Sequence, residues 1–284
     1  MTQSSPVSIP ALDGYSLAAD VWPAATEGAP TVVVSSAMAV PRRYYRAFAS
    51  FLAGQGLAVV TYDYRGIGGS APRTLRGFRA RARDWGQLDL AGVLAWARDR
   101  RPGGSIAVVG HSMGGQILGL APNHGNIRRA LLIGAQAGSW RHWPGWQRGL
   151  VAALWYSVIP ALTTLSGRLP MRWLGLGEDV PAGVAREWSR WGRSRDYLFD
   201  PRHGIDVAAY ARMAVPILVY SFDDDRLAPA PAIEALLRQY SAATIERRHR
   251  DAEQVARRPV GHFGFFRAGV VPELWREAAE WLAG

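Results

Sequence analysis

Ile106-Ala107-Val108-Val109-Gly110-His111-Ser112-Met113-Gly114-Gly115 decides the fold: an apolar run leads through a glycine to a serine, and two further glycines open a short helical run. A brief apolar run bounded by turn residues reads as a buried strand. Gly-x-Ser-x-Gly directly behind it reads as strand, tight turn and helix, with the serine at the apex. The glycines let the chain reverse sharply and let the helix sit close to neighbouring strands. The serine is then held in a strained conformation with its hydroxyl projecting above the sheet. Ser112 is therefore the candidate nucleophile; the alternative is a glycine turn without chemical consequence.

A serine hydroxyl is a feeble nucleophile at its own pKa, so it needs a base, and the base needs a carboxylate to orient it. For a serine in this kind of turn the chain order is serine, acid, histidine. His111 lies inside the turn, His124 follows its helix, His142 and His203 fall in a region without strands, and His249 ends a strand-like run. His262, in Gly261-His262-Phe263-Gly264 ahead of a C-terminal helix from Pro272, is the candidate base. The alternative is a core histidine wedged among Phe263, Phe265 and Phe266. The acid is expected just past a strand at 216–220, where Asp223, Asp224 and Asp225 stand together. Asp225 is preferred, and its neighbours are expected to cap the following helix or to face water.

Outward from the serine, short apolar runs at 31–35, 58–62, 106–109, 129–133 and 216–220 alternate with helical patterns, notably 42–54 and 85–98. Segments 7–9 and 15–22 around Asp13-Gly14 read as a hairpin. Strands alternating with helices imply a mostly parallel sheet covered on both faces. The alternation stops near Gln136 and resumes after Ile205. That interval holds seven of the twelve tryptophans. It is read as an inserted, mainly helical cap at 137–205, dividing a core of 1–136 and 206–284. Trp140, Trp143, Trp146 and Trp155 are its candidate substrate-pocket residues; the alternative is an aromatic packing layer with no ligand role.

With these motifs in place the chain resembles the α/β hydrolases, in particular the serine-aminopeptidase-like branch that includes monoacylglycerol lipase-like esterases. The resemblance runs the whole length, through Asp13-Gly14, Tyr62-Asp63-Tyr64-Arg65-Gly66-Ile67-Gly68-Gly69-Ser70, the Ser112 turn, Asp225-Arg226-Leu227-Ala228-Pro229 and Gly261-His262-Phe263-Gly264. It implies the three-layer α/β-hydrolase fold with about eight strands, and structural roles for Asp63 and Arg65. Gly66 and Gly68 lack the third glycine of a dinucleotide fingerprint. Family members usually carry His-Gly after the third strand, where a backbone amide helps to form the oxyanion hole. Ser35-Ser36-Ala37-Met38 stands there instead. Backbone donors do not depend on side-chain identity, so the N–H groups of Met38 and Met113 are the candidate donors, with Ala37 as the alternative to Met38.

The 284 residues, 49% hydrophobic and 20% charged, are too apolar for a disordered chain. A globule of this length buries roughly three quarters of its unfolded surface and needs no disulfide or structural metal. Without cysteine, disulfides, Cys-zinc sites, iron–sulfur clusters and thiol catalysis are excluded. No metal-ligand spacing appears, and no cofactor is expected. The formal charge of +10 comes from 33 basic residues, all arginine. No zinc-finger, RNP or helix-turn-helix signature accompanies them, so a solvated basic surface is expected rather than a nucleic-acid footprint. Residues 149–167 carry no charge, but Pro160 interrupts them and several hydroxyls make them a poor membrane span. A buried or substrate-facing helix is expected there, with a weak membrane-surface contact as the lesser alternative. No basic start followed by an apolar run opens the chain, so a cytoplasmic enzyme is expected.

The function expected is hydrolysis of an ester, thioester or amide of a small, apolar substrate through Ser112, His262 and Asp225 and an acyl-enzyme. The reading kept beside it is a noncatalytic lipid- or membrane-surface adaptor on the same fold.

Overall fold

The computed structural model describes residues 3–26, 28–173, 175–256 and 258–284. Its strands are β1 (Ser5–Pro10), β2 (Ser16–Trp22), β3 (Thr31–Ser35), β4 (Ala58–Tyr62), β5 (Ile106–His111), β6 (Ile127–Ile133), β7 (Arg168–Leu169), β8 (Val180–Pro181), β9 (Pro216–Phe222) and β10 (Thr244–Arg250). Eight of them form one sheet in the order β1-β2-β4-β3-β5-β6-β9-β10. The pairings β1–β2 and β2–β4 are antiparallel and the rest are parallel.

Every residue of β3, β4 and β5 is buried, because both faces of the parallel part are covered. Alternate side chains feed two cores. Val33, Val108 and Val219 join Trp85, Leu94 and Ile117 on one face. Val34, Val109 and Tyr220 join Phe48, Leu52, Phe265 and Trp275 on the other.

The turn after β4 is braced by charge. Asp63 accepts from the backbone N–H of Arg42 at 2.6 Å and of Gly69 at 2.8 Å, which fixes the chain leaving β3 against the chain leaving β4. A Cβ on Gly68, at φ +51°, would come within 2.6 Å of that carboxylate. Arg65 is buried between Asp89 at 2.7 Å and Asp13 at 2.7 Å, so the hairpin turn at Asp13-Gly14 is tied to the sheet. Removing one partner from the buried Arg65–Asp89 pair costs about 3–5 kcal/mol, because a buried charge is left uncompensated.

Between β6 and β9 lies a helical region with the two-stranded β7–β8 ribbon. Its first helix, Gln147–Ser166, runs straight through Pro160, where an interruption was expected. The reason is local. A π-helical turn, Leu154–Val158, precedes the proline and widens the helix where the ring would otherwise meet a carbonyl and an N–H is missing. The helix Ala182–Arg193 packs beneath it: Gly192 lies under the Trp155 ring, and Ser189 Oγ donates to the Trp155 carbonyl at 2.6 Å.

Candidate active site

Ser112 closes β5 and opens the short helix Met113–Gln116 with φ +50° and ψ −113°, a conformation strained for any residue with a side chain. The surrounding glycines make the turn sterically feasible. A Cβ on Gly110 would lie 2.6 Å from Gly115 Cα, one on Gly114 would overlap the Ser35 carbonyl, and one on Gly115 would lie 2.5 Å from Ala135 Cβ. The Ser112 N–H donates to the Ile133 carbonyl at 2.9 Å, so the serine is pinned to the end of β6.

The residue following Ile133 connects the serine to the other two candidates. Gly134, at φ +58°, packs tightly against both: a Cβ would stand 3.0 Å from His262 Cε1 and 3.2 Å from Asp225 Oδ2 and would press on the pair. Across this gap His262 Nδ1 lies 2.8 Å from Asp225 Oδ2 and 3.1 Å from Oδ1. Asp225 Oδ1 also accepts from the N–H groups of Leu227 and Ala228, at 2.9 and 3.1 Å, so the carboxylate is held from its far side. Ser112, Asp225 and His262 are all buried. Ser112 Oγ has no hydrogen-bond partner among the described residues.

The three aspartates at the end of β9 divide the work. Asp223 accepts from the Ala252 N–H at 2.8 Å and anchors the chain after β10. Asp224 accepts from the N–H groups of Val260 and Gly261, at 2.9 and 2.8 Å, and so holds the two residues leading into His262. Asp224 does not cap the following helix: its carboxylate is taken up by the loop before His262. Three identical residues in a row give no sequence signal for that division.

A hydrogen-bonded chain behind the serine also escaped the sequence reading. His111 Nε2 lies 2.8 Å from the His262 carbonyl, which can only accept, so Nε2 carries the proton. Nδ1 is then the acceptor for the Tyr45 hydroxyl at 2.8 Å, and the Tyr45 oxygen accepts the Ala37 N–H at 2.8 Å. The loop after β3 is thereby linked to the His262 loop through the residue adjoining Ser112. The same chain occupies the Ala37 amide. Met38 N–H and Met113 N–H have no backbone or side-chain acceptor among the described residues.

Burial pushes His111 well below the ordinary imidazole value, with the nearby His262 ring adding to the effect. Burial also lowers His142 and His203. Each therefore takes up its proton at a lower pH in the fold than in the unfolded chain, where imidazoles charge below about 6.5. The stability they lend is complete above that pH and is lost progressively below it, towards the lowered folded values. The melting temperature is therefore expected to fall between pH 7 and pH 5. His111→Gln should flatten that slope, and an unchanged slope in the variant would remove His111 as a contributor.

The four tryptophans do not share one surface. Trp143 is buried and its Nε1 donates to the Arg226 carbonyl at 3.1 Å, beside Asp225. Trp140 is half-buried with Arg141 stacked on it, Trp155 is buried against Trp188, and Trp146 is 72% exposed. A different contact ties this region to the serine turn: Trp188 Nε1 donates to Tyr197 Oη at 2.9 Å, and that hydroxyl donates to Gln116 Oε1 at 2.6 Å. Among the described residues no three His, Asp or Glu side chains gather as a metal-binding group. A cavity of about 750 Å³ opens at the other end of the central strands, against Thr31 and Ala58 at the starts of β3 and β4, away from Ser112.

Ser112 thus sits in a strained turn at the end of a central strand, and the His262–Asp225 pair lies against Gly134, one residue past the carbonyl that holds the Ser112 N–H. Residues 28–273 match the alpha/beta hydrolase family, and the chain belongs to it. No curated protein matches the sequence. Among solved structures it is similar to the esterase Pf2001 of Pyrococcus furiosus, at 17% identity and TM-score 0.63, covering 99% of this chain and 92% of that one. It is also similar to the alpha/beta hydrolase GrgF of Penicillium sp. sh18, at 16% identity and TM-score 0.64, covering 99% and 98%. The esterase EaEST of Exiguobacterium antarcticum shares 18% identity at TM-score 0.58, covering 98% of each chain.

Proposed function

We propose that this hydrolase cleaves an ester, thioester or amide of a small, apolar acyl substrate through an acyl-enzyme. Ser112 Oγ bonds to the acyl carbon as its proton passes to His262 Nε2, and the carbonyl oxygen becomes an oxyanion. His262 returns that proton to the departing alcohol, thiol or amine as the acyl bond to it breaks. Water then attacks the acyl-serine, giving its proton to His262, and Ser112 regains a proton as the acid leaves. Asp225 keeps the Nδ1–H tautomer in place throughout. The observation that carries this reading is the seating of the His262–Asp225 pair against Gly134, one residue from the carbonyl that holds the Ser112 N–H.

With the Ala37 amide engaged by Tyr45, the oxyanion is assigned to Met38 N–H and Met113 N–H. Residues 137–205 act as a cap in this reading, and Trp143, beside the Asp225 loop, is its first candidate for acyl contact. Pf2001 and EaEST are called esterases, which makes an ester the first substrate to try. Purified protein should be assayed on p-nitrophenyl esters of increasing acyl length, acyl-CoAs and aminoacyl arylamides. Ester turnover is expected, with kcat/KM rising about fourfold per added methylene until the pocket is full, as ~0.8 kcal/mol per buried methylene requires. No turnover on any member of the panel would overturn the proposal.

A further inference from the structure

We propose that the outer face of the helix Gln147–Ser166, continued by Trp173 and Leu176, docks flat on an anionic lipid surface. This goes beyond the hydrolytic reading and does not rest on it. Leu12 and Leu227 apart, every exposed large apolar side chain among the described residues lies between Trp146 and Leu176. Trp146, Leu150, Leu165 and Trp173 are 72, 59, 80 and 74% exposed, a concentration that water does not favour. Only 17% of the apolar stretch of this helix is buried.

The buried side of the helix excludes a span. Trp155, Ile159 and Thr163 face the protein, and Arg186 Nη2 donates to the Thr163 carbonyl at 3.1 Å, so the helix cannot leave to cross a bilayer. A helix with one face anchored and the other apolar belongs in the plane of an interface. Exposed tryptophans at its start and just beyond its end suit the headgroup level.

Charge selects the occupant. No Asp or Glu occurs between Asp99 and Glu178. Of the arginines that border the face, Arg168 and Arg172 are paired with Asp179 and Glu178, which leaves Arg141 and Arg148 as the two cations for a lipid. Arg168 stands 5.5 Å from the Trp173 ring, and Arg193 stands 5.7 Å from the Tyr156 ring, cations at the rim of the apolar surface. Arg141 and Arg148 are paired with no carboxylate among the described residues. Arg141 Nη1 donates to the Arg193 carbonyl at 3.0 Å and Arg148 Nε to the Trp143 carbonyl at 3.2 Å, which leaves the other N–H groups of each guanidinium for phosphate oxygens. Pairing of two copies through this face would oppose these arginines to one another, so the lipid is the better complement.

The test is co-sedimentation of the full chain with unilamellar vesicles, either pure phosphatidylcholine or phosphatidylcholine with one-third phosphatidylserine. Strong preference for the anionic vesicles is expected, weakening as salt is raised. Arg148→Glu should lower that binding at least about fivefold, the value of one basic side chain near such a surface. The triple variant Trp146→Ser, Leu150→Ser, Leu165→Ser should lower binding at least tenfold with unchanged thermal stability. Equal binding to both vesicles, or binding untouched by these substitutions, would overturn the proposal. So would a dimer in sedimentation velocity that the triple variant dissolves. None of these readouts involves turnover, so they stand or fall separately from the hydrolytic proposal.

Discussion

Ser112→Ala is expected to lower kcat on the best ester by on the order of 10³-fold or more while leaving the fold intact. The alanine loses only the hydroxyl, and the glycines that shape the turn are untouched. Some strain persists, since alanine at φ +50° is no more comfortable than serine, so stability should move little. A residual rate above that of water is expected from oxyanion donors and substrate binding alone. Circular dichroism and a melting curve separate this outcome from misfolding. Retention of most activity in pure protein would remove Ser112 from the nucleophile's role.

Asp225→Asn should be damaging on a similar scale, about 10⁴-fold in kcat, for a reason visible in the hydrogen bonds. Asp225 Oδ1 is bound by the N–H groups of Leu227 and Ala228, and an asparagine would keep its oxygen there. Its NH₂ would then point at His262 Nδ1, forcing the tautomer whose Nε2 carries a proton and cannot accept one from serine. Asp224→Asn should cost less, roughly 10- to 100-fold, because it frees part of the loop before His262 without changing the tautomer. Asp223→Asn should stay close to wild type. Measured in parallel on one ester, a larger loss at 223 or 224 than at 225 would reassign the acid.

The ranking of these aspartates marks where sequence reading stops. The parallel strands were legible because β3, β4 and β5 are apolar on both faces, and the Ser112 turn was legible because its glycines are demanded by backbone contact. Asp223, Asp224 and Asp225 are alike in type and environment along the chain, and only the path of the His262 loop separates their tasks. The Tyr45–His111 chain was hidden for a similar reason: its members come from three separate segments. The tryptophans show a further limit. Composition concentrates them between 137 and 205, but it does not say that Trp155 turns inward on Gly192 while Trp146 turns out. A proline inside an apolar run signals a break, and the π turn that lets the helix continue past Pro160 has no sequence signature.

The most direct measurement is peptide mapping by mass spectrometry after exposure to a fluorophosphonate, which reports the nucleophile without any assumption about substrate. A single adduct is expected on the peptide holding Ser112, with labelling slowed by orders of magnitude in His262→Ala because the hydroxyl then has no base. An adduct on another residue, or none on protein that melts cooperatively, would contradict the assignment and favour a noncatalytic role for the same fold.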